Sequence, residues 1–374
     1  MRILFFSSYG DLYGANRSLL SIAIHLKGSG HQVFVFLPRK GEMAVSLQKA
    51  GIEVIYFPFY SGFLYYKFLL KHTLVPLLFL WDLLVFPVIL LKSHKVKPDV
   101  VYSNSSLENI GFFVARILRK KHVFHIREFM LEDYNARFIF GEQLKKKFVS
   151  LSDGTIFVSK SVKDSVHLIS SQKPVSVIYN GLQLPRSLPS KRFVNFKSLN
   201  FGLVGIFDEA KGHHIAVEYF SRILDAFPEA KLHFFGDKDS RYKNKVLRLI
   251  AEKGIDKSIV FHGFVSKSDQ IYQVLDVLFM FSRAEGFGRV TVEAMCHGVP
   301  VIGFDNAGTS EILSDRISGC LFSDYNSFED SLLFLTESQE NYFRIRENAF
   351  SILKKRFDEK IYVSKVEQFI KSIL

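Results

Sequence analysis

The sequence predicts an α/β chain of two tandem Rossmann-like domains, and three observations carry that prediction. Short apolar runs alternate with helical patterns along nearly the whole chain, as expected for strands buried on both faces of a parallel sheet. The order strand, glycine loop, helix occurs at the start and begins again near residue 201, after a stretch rich in Pro, Ser and Lys. With 374 residues, 48% of them hydrophobic, each half can bury its own core, since domains run to roughly 100–200 residues.

In chain order, residues 2–7 form the first apolar run and lead into Ser7, Ser8, Tyr9 and Gly10. Gly14, Ala15, Asn16 and Arg17 then open a helix through Leu19, Ala23 and Leu26, ending at Gly28 and Gly30. Further strands are expected at 31–37, 51–57, 99–105, 122–126, 154–159 and 175–180. Residues 182–200 lack periodicity and read as a linker. The second half starts with a strand at 201–206, a loop holding Lys211 and Gly212, and a helix from about His213; His213 and His214 are expected at the surface. Strands at 231–236, 258–263, 276–282 and 299–304 follow. The last segment, 357–374, is an amphipathic helix with Ile361, Val366 and Ile370 on its apolar side. The expected division is therefore 1–182, joined by a returning helix at 358–374, and 183–357.

Lys and Arg number 49 against 37 Asp and Glu, a net charge of +12, which fits a chain that meets anions and says nothing of fold. Nucleic acid is a poor match, because the basic residues are scattered, as at Lys145, Lys146 and Lys147, without a basic tail or a reader motif. Cys296 and Cys320, without ligand spacing, read as reduced thiols of a cytoplasmic protein. Met1 leads directly into a strand, so no signal peptide is expected.

Residues 73–91 carry Asp82 as their one formal charge and are long enough to span a bilayer. Asp82 at the midpoint would cost about 2.5–3.5 kcal/mol there, Pro76 and Pro87 would disturb a spanning helix, and the segment lies between strands that should share one sheet. Two readings stay open: a buried crossover helix, and a helix lying on an anionic membrane surface, for which Lys67, Lys71, Lys92, Lys95 and Lys97 flank the run. Aromatics crowd just ahead of it at Phe57, Phe59, Tyr60, Phe63, Tyr65 and Tyr66.

The stretch 279–311 concentrates the chemistry. Glu285 and Glu293 flank the turn Gly286, Phe287, Gly288, one in a loop and the other about one turn into the next helix. Alone, each carboxylate would pass as a solvated loop residue or a helix-stabilising acid. Together, around a Gly-x-Gly turn at the carboxyl end of a parallel sheet, they mark a ligand site beside an anion-attracting helix start.

The ten residues from Glu285 to Ala294, EGFGRVTVEA, are similar to the Glu-x7-Glu signature of the retaining glycosyltransferases called family 4, whose fold is the two-domain GT-B arrangement with a cleft between its domains. The resemblance runs over nearly the whole chain. Gly14 to Arg17 resembles that family's first glycine loop, Asp99 to Ser103 its Asp-led strand, Asn180-Gly181 its hinge, Lys211-Gly212 its Lys-Gly loop, and Gly308 to Glu311 its late Gly-x-x-Glu. It implies transfer, with retention, from a UDP- or GDP-linked sugar to an acceptor hydroxyl, on a lipid-linked saccharide in cell-surface polysaccharide synthesis. It also implies a cytoplasmic enzyme, peripheral at the inner face of the plasma membrane, with no cofactor or metal.

The same resemblance assigns roles. Glu285 would bind the donor sugar's hydroxyls, the amides of Gly286, Phe287 and Gly288 its distal part, and Glu293 the ribose hydroxyls. Lys211 would neutralise the departing diphosphate, which Gly14 lets the backbone approach. Arg127 and His125 are catalytic candidates, and Asn16, Arg127 and Glu128 acceptor-side candidates. The chain departs from the pattern at Ile206, where relatives carry Arg, and Arg283 or Arg289 are the candidate replacements, each equally readable as a solvated arginine. Asp237-Lys238-Asp239 has an Asp-x-Asp pattern but sits at a turn where Asp is ordinary. The rival readings are a sugar-nucleotide epimerase or a phosphorylase of this fold, the latter lacking an identifiable cofactor-binding lysine, and a degenerate saccharide-binding homologue.

Overall fold

The structure is a computed structural model that describes residues 1–60, 63–65, 69–129, 136–138, 141–166, 173–190, 193–237 and 241–374, with the backbone alone at 63–65, 69–75 and 136–137. It divides into two compact units, Met1–Gly181 with Glu359–Leu374, and Leu182–Asp358.

The first unit alternates β1 (Arg2–Phe6), α1 (Gly14–Gly28), β2 (Gln32–Leu37), α2 (Glu42–Lys49), β3 (Glu53–Tyr56), β4 (Phe63–Tyr65), α3 (Leu69–Val96), β5 (Val100–Ser103), α4 (Ile110–Leu118), β6 (Lys121–Ile126), β7 (Ala136–Phe138), α5 (Glu142–Leu151), β8 (Gly154–Phe157), α6 (Lys160–Val166) and β9 (Val175–Val177). Seven strands form a parallel sheet in the order β3-β2-β1-β5-β6-β8-β9, while β4 and β7 pair separately and antiparallel, an arrangement without a sequence signal. Leu19, Ile22, Ala23 and Leu26 recur at helical spacing and turn one face of α1 onto the sheet. The C-terminal helix Glu359–Ser372 covers the same side, burying Tyr362, Val363, Val366, Phe369 and Ile370. Its Glu367 lies 2.7 Å from His25 of α1 and 3.1 Å from His31, just before β2.

The other side of that sheet is covered by α3 and α4. Strands β3 and β5 belong to one sheet, so α3 is a crossover whose two ends return to the same body, and a membrane span is excluded. The crossover is buried along one narrow face only: Val85, Ile89 and Val96 pack against Leu4, Phe6 and Phe36, whereas Leu77, Leu84 and Leu91 are more than half exposed. Asp82 is buried on the protein-facing side, its Oδ1 accepting the Tyr60 amide at 2.6 Å. Residues 61–62 and 66–68, which include Tyr66 and Lys67, lie outside the described residues.

The second unit runs β10 (Asn200–Val204), α7 (His213–Ile223), β11 (Lys231–Phe235), α8 (Arg241–Lys253), β12 (Ile259–Gly263), α9 (Ser268–Tyr272), β13 (Val277–Met280), α10 (Arg289–Cys296), β14 (Val301–Phe304), α11 (Ala307–Ile312), β15 (Cys320–Phe322), α12 (Tyr325–Thr336) and α13 (Gln339–Arg356). Its six strands are parallel in the order β12-β11-β10-β13-β14-β15. Phe201 of β10 stacks on Phe279 of β13 at 4.6 Å, in a core that takes in Phe220, Phe234 and Phe328. Both units thus have the Rossmann-like architecture the sequence predicts, and each sheet changes winding direction once, between β1 and β5 and between β10 and β13.

Candidate active site

In the second unit the chain leaves β10 and β13 toward opposite edges of the sheet, so their carboxyl-terminal loops meet over a crevice suited to a ligand. The loop after β10 is held in a tight turn. Asp208 accepts the Ala210 amide at 3.3 Å, and Gly212 has φ +73°, with no room for a Cβ that would meet the Phe281 carbonyl at 2.6 Å. This turn presents Lys211, whose Nζ donates to Glu285 Oε2 at 2.8 Å from the loop after β13. The two side chains are 32% and 17% exposed, so the pair is open to a ligand and partly shielded from water.

The Glu285 loop is pinned by its backbone. Its carbonyl accepts the Gly308 amide at 2.9 Å, and a Cβ on Gly308 would come within 2.5 Å of the Phe287 carbonyl and 2.7 Å of the Glu285 carbonyl. Gly308→Ala is therefore expected to push the loop out of place. It should lower unfolding stability by about 1–3 kcal/mol and weaken donor binding about tenfold; thermal melts and calorimetry check both. Gly288, with φ +92°, starts α10 without a side-chain cap, leaving the first-turn amides of that helix without an intrahelical acceptor.

Glu293, in the body of α10, accepts Arg289 Nε at 2.8 Å and the Tyr272 hydroxyl at 3.3 Å. Arg289 is thereby committed to Glu293. Arg283 is exposed, its guanidinium 5.4 Å from the Phe304 ring centroid, and Ile206 is 48% exposed. The role of Tyr272 carried no signal in the sequence, because nothing in its spacing ties α9 to α10.

His213 corrects the surface expectation. It is fully buried and stacked on Phe207 at 4.3 Å. Burial lowers its pKa to about 4, so it stays neutral. His214 is half-buried and bonds the Tyr242 hydroxyl at 2.8 Å. Burial pushes both thiols, Cys296 and Cys320, up to about 12, which leaves them protonated and unreactive.

In the first unit the corresponding switch point holds Gly14 and Asn16. Gly14 opens α1, again without a side-chain cap, and a Cβ there would meet nothing within 4 Å. Asn16 is buried and organises the glycine loop: its amide donates to the carbonyls of Tyr9 at 3.0 Å and Asp11 at 2.7 Å, and its Oδ1 accepts from Ser7 at 2.6 Å. Arg127 is 7% exposed. Its Nε donates to Asn104 Oδ1 at 3.0 Å, Nη1 to Asn180 Oδ1 at 2.8 Å, and Nη2 to the Tyr362 hydroxyl at 3.1 Å and His125 Nδ1 at 3.0 Å.

His125 also lies 2.5 Å from the Tyr102 hydroxyl through Nδ1, while its buried Nε2 has no partner among the described residues. Burial, with Arg127 beside it, holds its pKa well below the usual value, so it is neutral. Glu128 is buried, one oxygen accepting from the Ser105 hydroxyl at 2.7 Å and from the amide and hydroxyl of Ser106.

A second buried cation lies nearby. Lys145 donates to Asn109 Oδ1 and sits 4.4 Å from the Phe124 ring centroid, and burial lowers its pKa to about 7, opposed by Glu108 and Glu128. The unfolded amine titrates near 10.4, so between about 7 and 10 the unfolded chain binds the extra proton. The cost to folding is full below pH 7 and is relieved as pH rises through that window. Lys145→Met should abolish that rise in stability between pH 7 and 10, and because it leaves the buried Glu108, Glu128 and Asn109 oxygens without their cation it should lower stability at pH 9.5 by about 1–3 kcal/mol; thermal melts across that pH range check both.

Among the described residues, no group of three or more His, Cys, Asp or Glu could hold a metal ion. Asp237 pairs with Lys243 at 2.7 Å, while Lys238 and Asp239 lie outside the described residues.

Comparison with known proteins agrees with this architecture. Residues 13–186 match the family model described as Glycosyltransferase Family 4, and residues 190–351 the one described as Glycosyl transferases group 1, so the two lie end to end. The O-antigen biosynthesis glycosyltransferase WclY of Escherichia coli is 21% identical over 292 residues, 74% of this chain and 80% of that one. An uncharacterized 41.2 kDa protein in the cps region of Klebsiella pneumoniae is 30% identical over 170 residues, 43% of this chain and 44% of that one. The chain spans less than half the length of several curated relatives it matches, 21 to 45% in three of them. Among solved structures, Anabaena HepE in complex with UDP and glucose superposes with a TM-score of 0.80 at 21% identity, covering 100% of both chains, a likeness of fold.

Proposed function

The chain belongs to the glycosyltransferases of group 1 and family 4, and on that premise we propose that it transfers a sugar, with retention, from a UDP- or GDP-linked donor to a hydroxyl of a lipid-linked saccharide. The Lys211–Glu285 pair at 2.8 Å, at the switch point of the second sheet, is the observation that carries the proposal.

Lys211 Nζ has three donors, so it can keep Glu285 and still meet a diphosphate oxygen. Its charge stabilises the anion that develops as the sugar bond breaks, a task that needs no metal in this reading. Glu285 accepts from sugar hydroxyls, and Glu293 from the ribose hydroxyls, exchanging its Arg289 or Tyr272 contacts for them. The amides around Gly286, Phe287 and Gly288 and the uncapped start of α10 receive the donor's anionic part. The rest of the chemistry is positioning: a retaining attack on the face the diphosphate leaves demands no dedicated general base.

Acceptor binding falls to the first unit. There the hydrogen bonds of Arg127, Asn16 and Glu128 to neighbouring groups make them supports that shape the surface, with neutral His125 among them. WclY is named for O-antigen biosynthesis and the Klebsiella relative for a cps region, which supports a role in making a cell-surface saccharide.

A second reading, a binding homologue without turnover, is favoured by Ile206, 48% exposed where the family resemblance leads one to expect a diphosphate-binding arginine. Calorimetric titration with a panel of UDP- and GDP-sugars, followed by product analysis with and without a chelator, tests both. The expected result is one tightly bound donor and chelator-resistant transfer. Binding without transfer to any saccharide acceptor would favour the second reading, a free sugar or a new sugar nucleotide an epimerase, and no binding of any donor would sink the assignment.

A further inference from the structure

We propose that the solvent face of α3, widened by α4, seats the first unit on the surface of an anionic phospholipid bilayer, with the helix axis lying in the interface. The inference rests on the reading of a lipid-linked acceptor and names the surface that reading needs.

The two faces of α3 are unlike. Asp82, Val85 and Ile89 face the protein, whereas Leu77, Leu80, Trp81, Leu84, Val88 and Leu91 are 38–67% exposed and recur at the spacing of one helical face. The segment Pro76–Val96 is long and apolar enough to cross a membrane by length and composition, and only 22% of its most apolar window is buried. Because α4 packs on the same side of the sheet, its exposed Phe113 and Ile117 extend that surface. A contiguous apolar face of this kind on a soluble chain marks a partner or a membrane.

Charge chooses between the two. Asp82 is the one acidic residue of α3 and it is buried, and α4 has none. Val100 of β5 pairs with Lys121 of β6, so the chain ends of α3 and α4 come out at one edge of the sheet. Exposed Lys95, Lys97, Arg116, Arg119 and Lys120 therefore gather at one end of the apolar face, where they outnumber the neighbouring acids Asp99 and Asp153. The same face of a second copy carries no exposed acid to pair with these cations, whereas anionic headgroups accept them while the leucines enter the acyl boundary. Long basic side chains reach the headgroup level as their stems lie along apolar surface.

Trp81, the single tryptophan of the chain, stands on this face and makes the test direct. Full-length protein is mixed with vesicles of phosphatidylcholine alone, or with phosphatidylglycerol added, at low and high salt. Flotation and Trp81 emission are read, alongside donor calorimetry. Expected are co-flotation and a blue shift with the anionic vesicles only, both weakened by salt, and vesicle binding reduced about tenfold or more in Leu84→Glu/Leu91→Glu, with donor affinity unchanged. The proposal is overturned if the wild type stays unbound, if the double substitution binds as well as the wild type, or if the wild type is a dimer that the substitution turns into a monomer. Vesicle binding without donor binding would refute the transferase reading and leave the membrane surface standing, so the two failures are distinct.

Discussion

Lys211→Ala is expected to lower kcat for sugar transfer by about 10²–10³-fold, with a smaller change in the apparent affinity for the donor. Lys211 is held by a turn whose Gly212 admits no side chain, so its ammonium is preorganised at the point where Glu285 waits. A cation positioned before the reaction stabilises the departing diphosphate more than the intact donor, and its loss falls mainly on the transition state. Single-turnover rates with saturating donor, measured beside calorimetric donor affinities, separate the two effects. Glu285→Ala should also abolish transfer, through lost sugar contacts and a Lys211 without its partner. Wild-type turnover in Lys211→Ala would remove the mechanism proposed here.

The largest effect on stability is expected from Arg127→Met, at about 3–5 kcal/mol. The guanidinium reaches Asn104, His125, Asn180 and Tyr362 at once, joining the ends of β5 and β6 to the C-terminal helix and to the segment after β9. Methionine of similar length fills the space but takes this donor from the buried Asn104 and Asn180 oxygens and from the Tyr362 hydroxyl, while His125 keeps the Tyr102 hydroxyl, and each lost bond carries a desolvation cost. Arg127→Lys should rescue little, because an ammonium does not span the fork of directions that the planar guanidinium covers. Hydrogen exchange in the C-terminal helix and in β6 reads the loss locally, in the unit where it occurs. Unchanged protection there would show that the network contributes nothing measurable.

Much of this was legible before any coordinate. Strands such as 276–282 and 299–304 are apolar on both faces over most of their length, so their hydrophobic runs report them directly, and the Gly-x-Gly turn between Glu285 and Glu293 announces itself through spacing. Three features were not legible. The pairing of β4 with β7 joins segments more than 70 residues apart, and short strands of that kind have no period to read. His213 looked like a surface residue because two adjacent histidines at a helix start resemble a solvated end, whereas its ring completes an aromatic stack with Phe207 and Phe234. Arg127 has hydrogen-bond partners that no spacing announces, one of them 235 positions away.

The sequence by itself determined two parallel-sheet units, the glycine loops at their switch points and the residue types those loops present, because each depends on local period, on backbone freedom or on a short motif. Only the tertiary structure decided which partners those side chains keep. It joined Lys211 to Glu285 and Glu293 to Arg289, tied Arg127 to the C-terminal helix, and turned Asp82 inward while leaving the leucines of α3 in solvent. The reason is physical: a strand or a helix is specified by its neighbours in the chain, whereas a hydrogen bond between loops exists only once the sheet has set its strand order and brought their ends together.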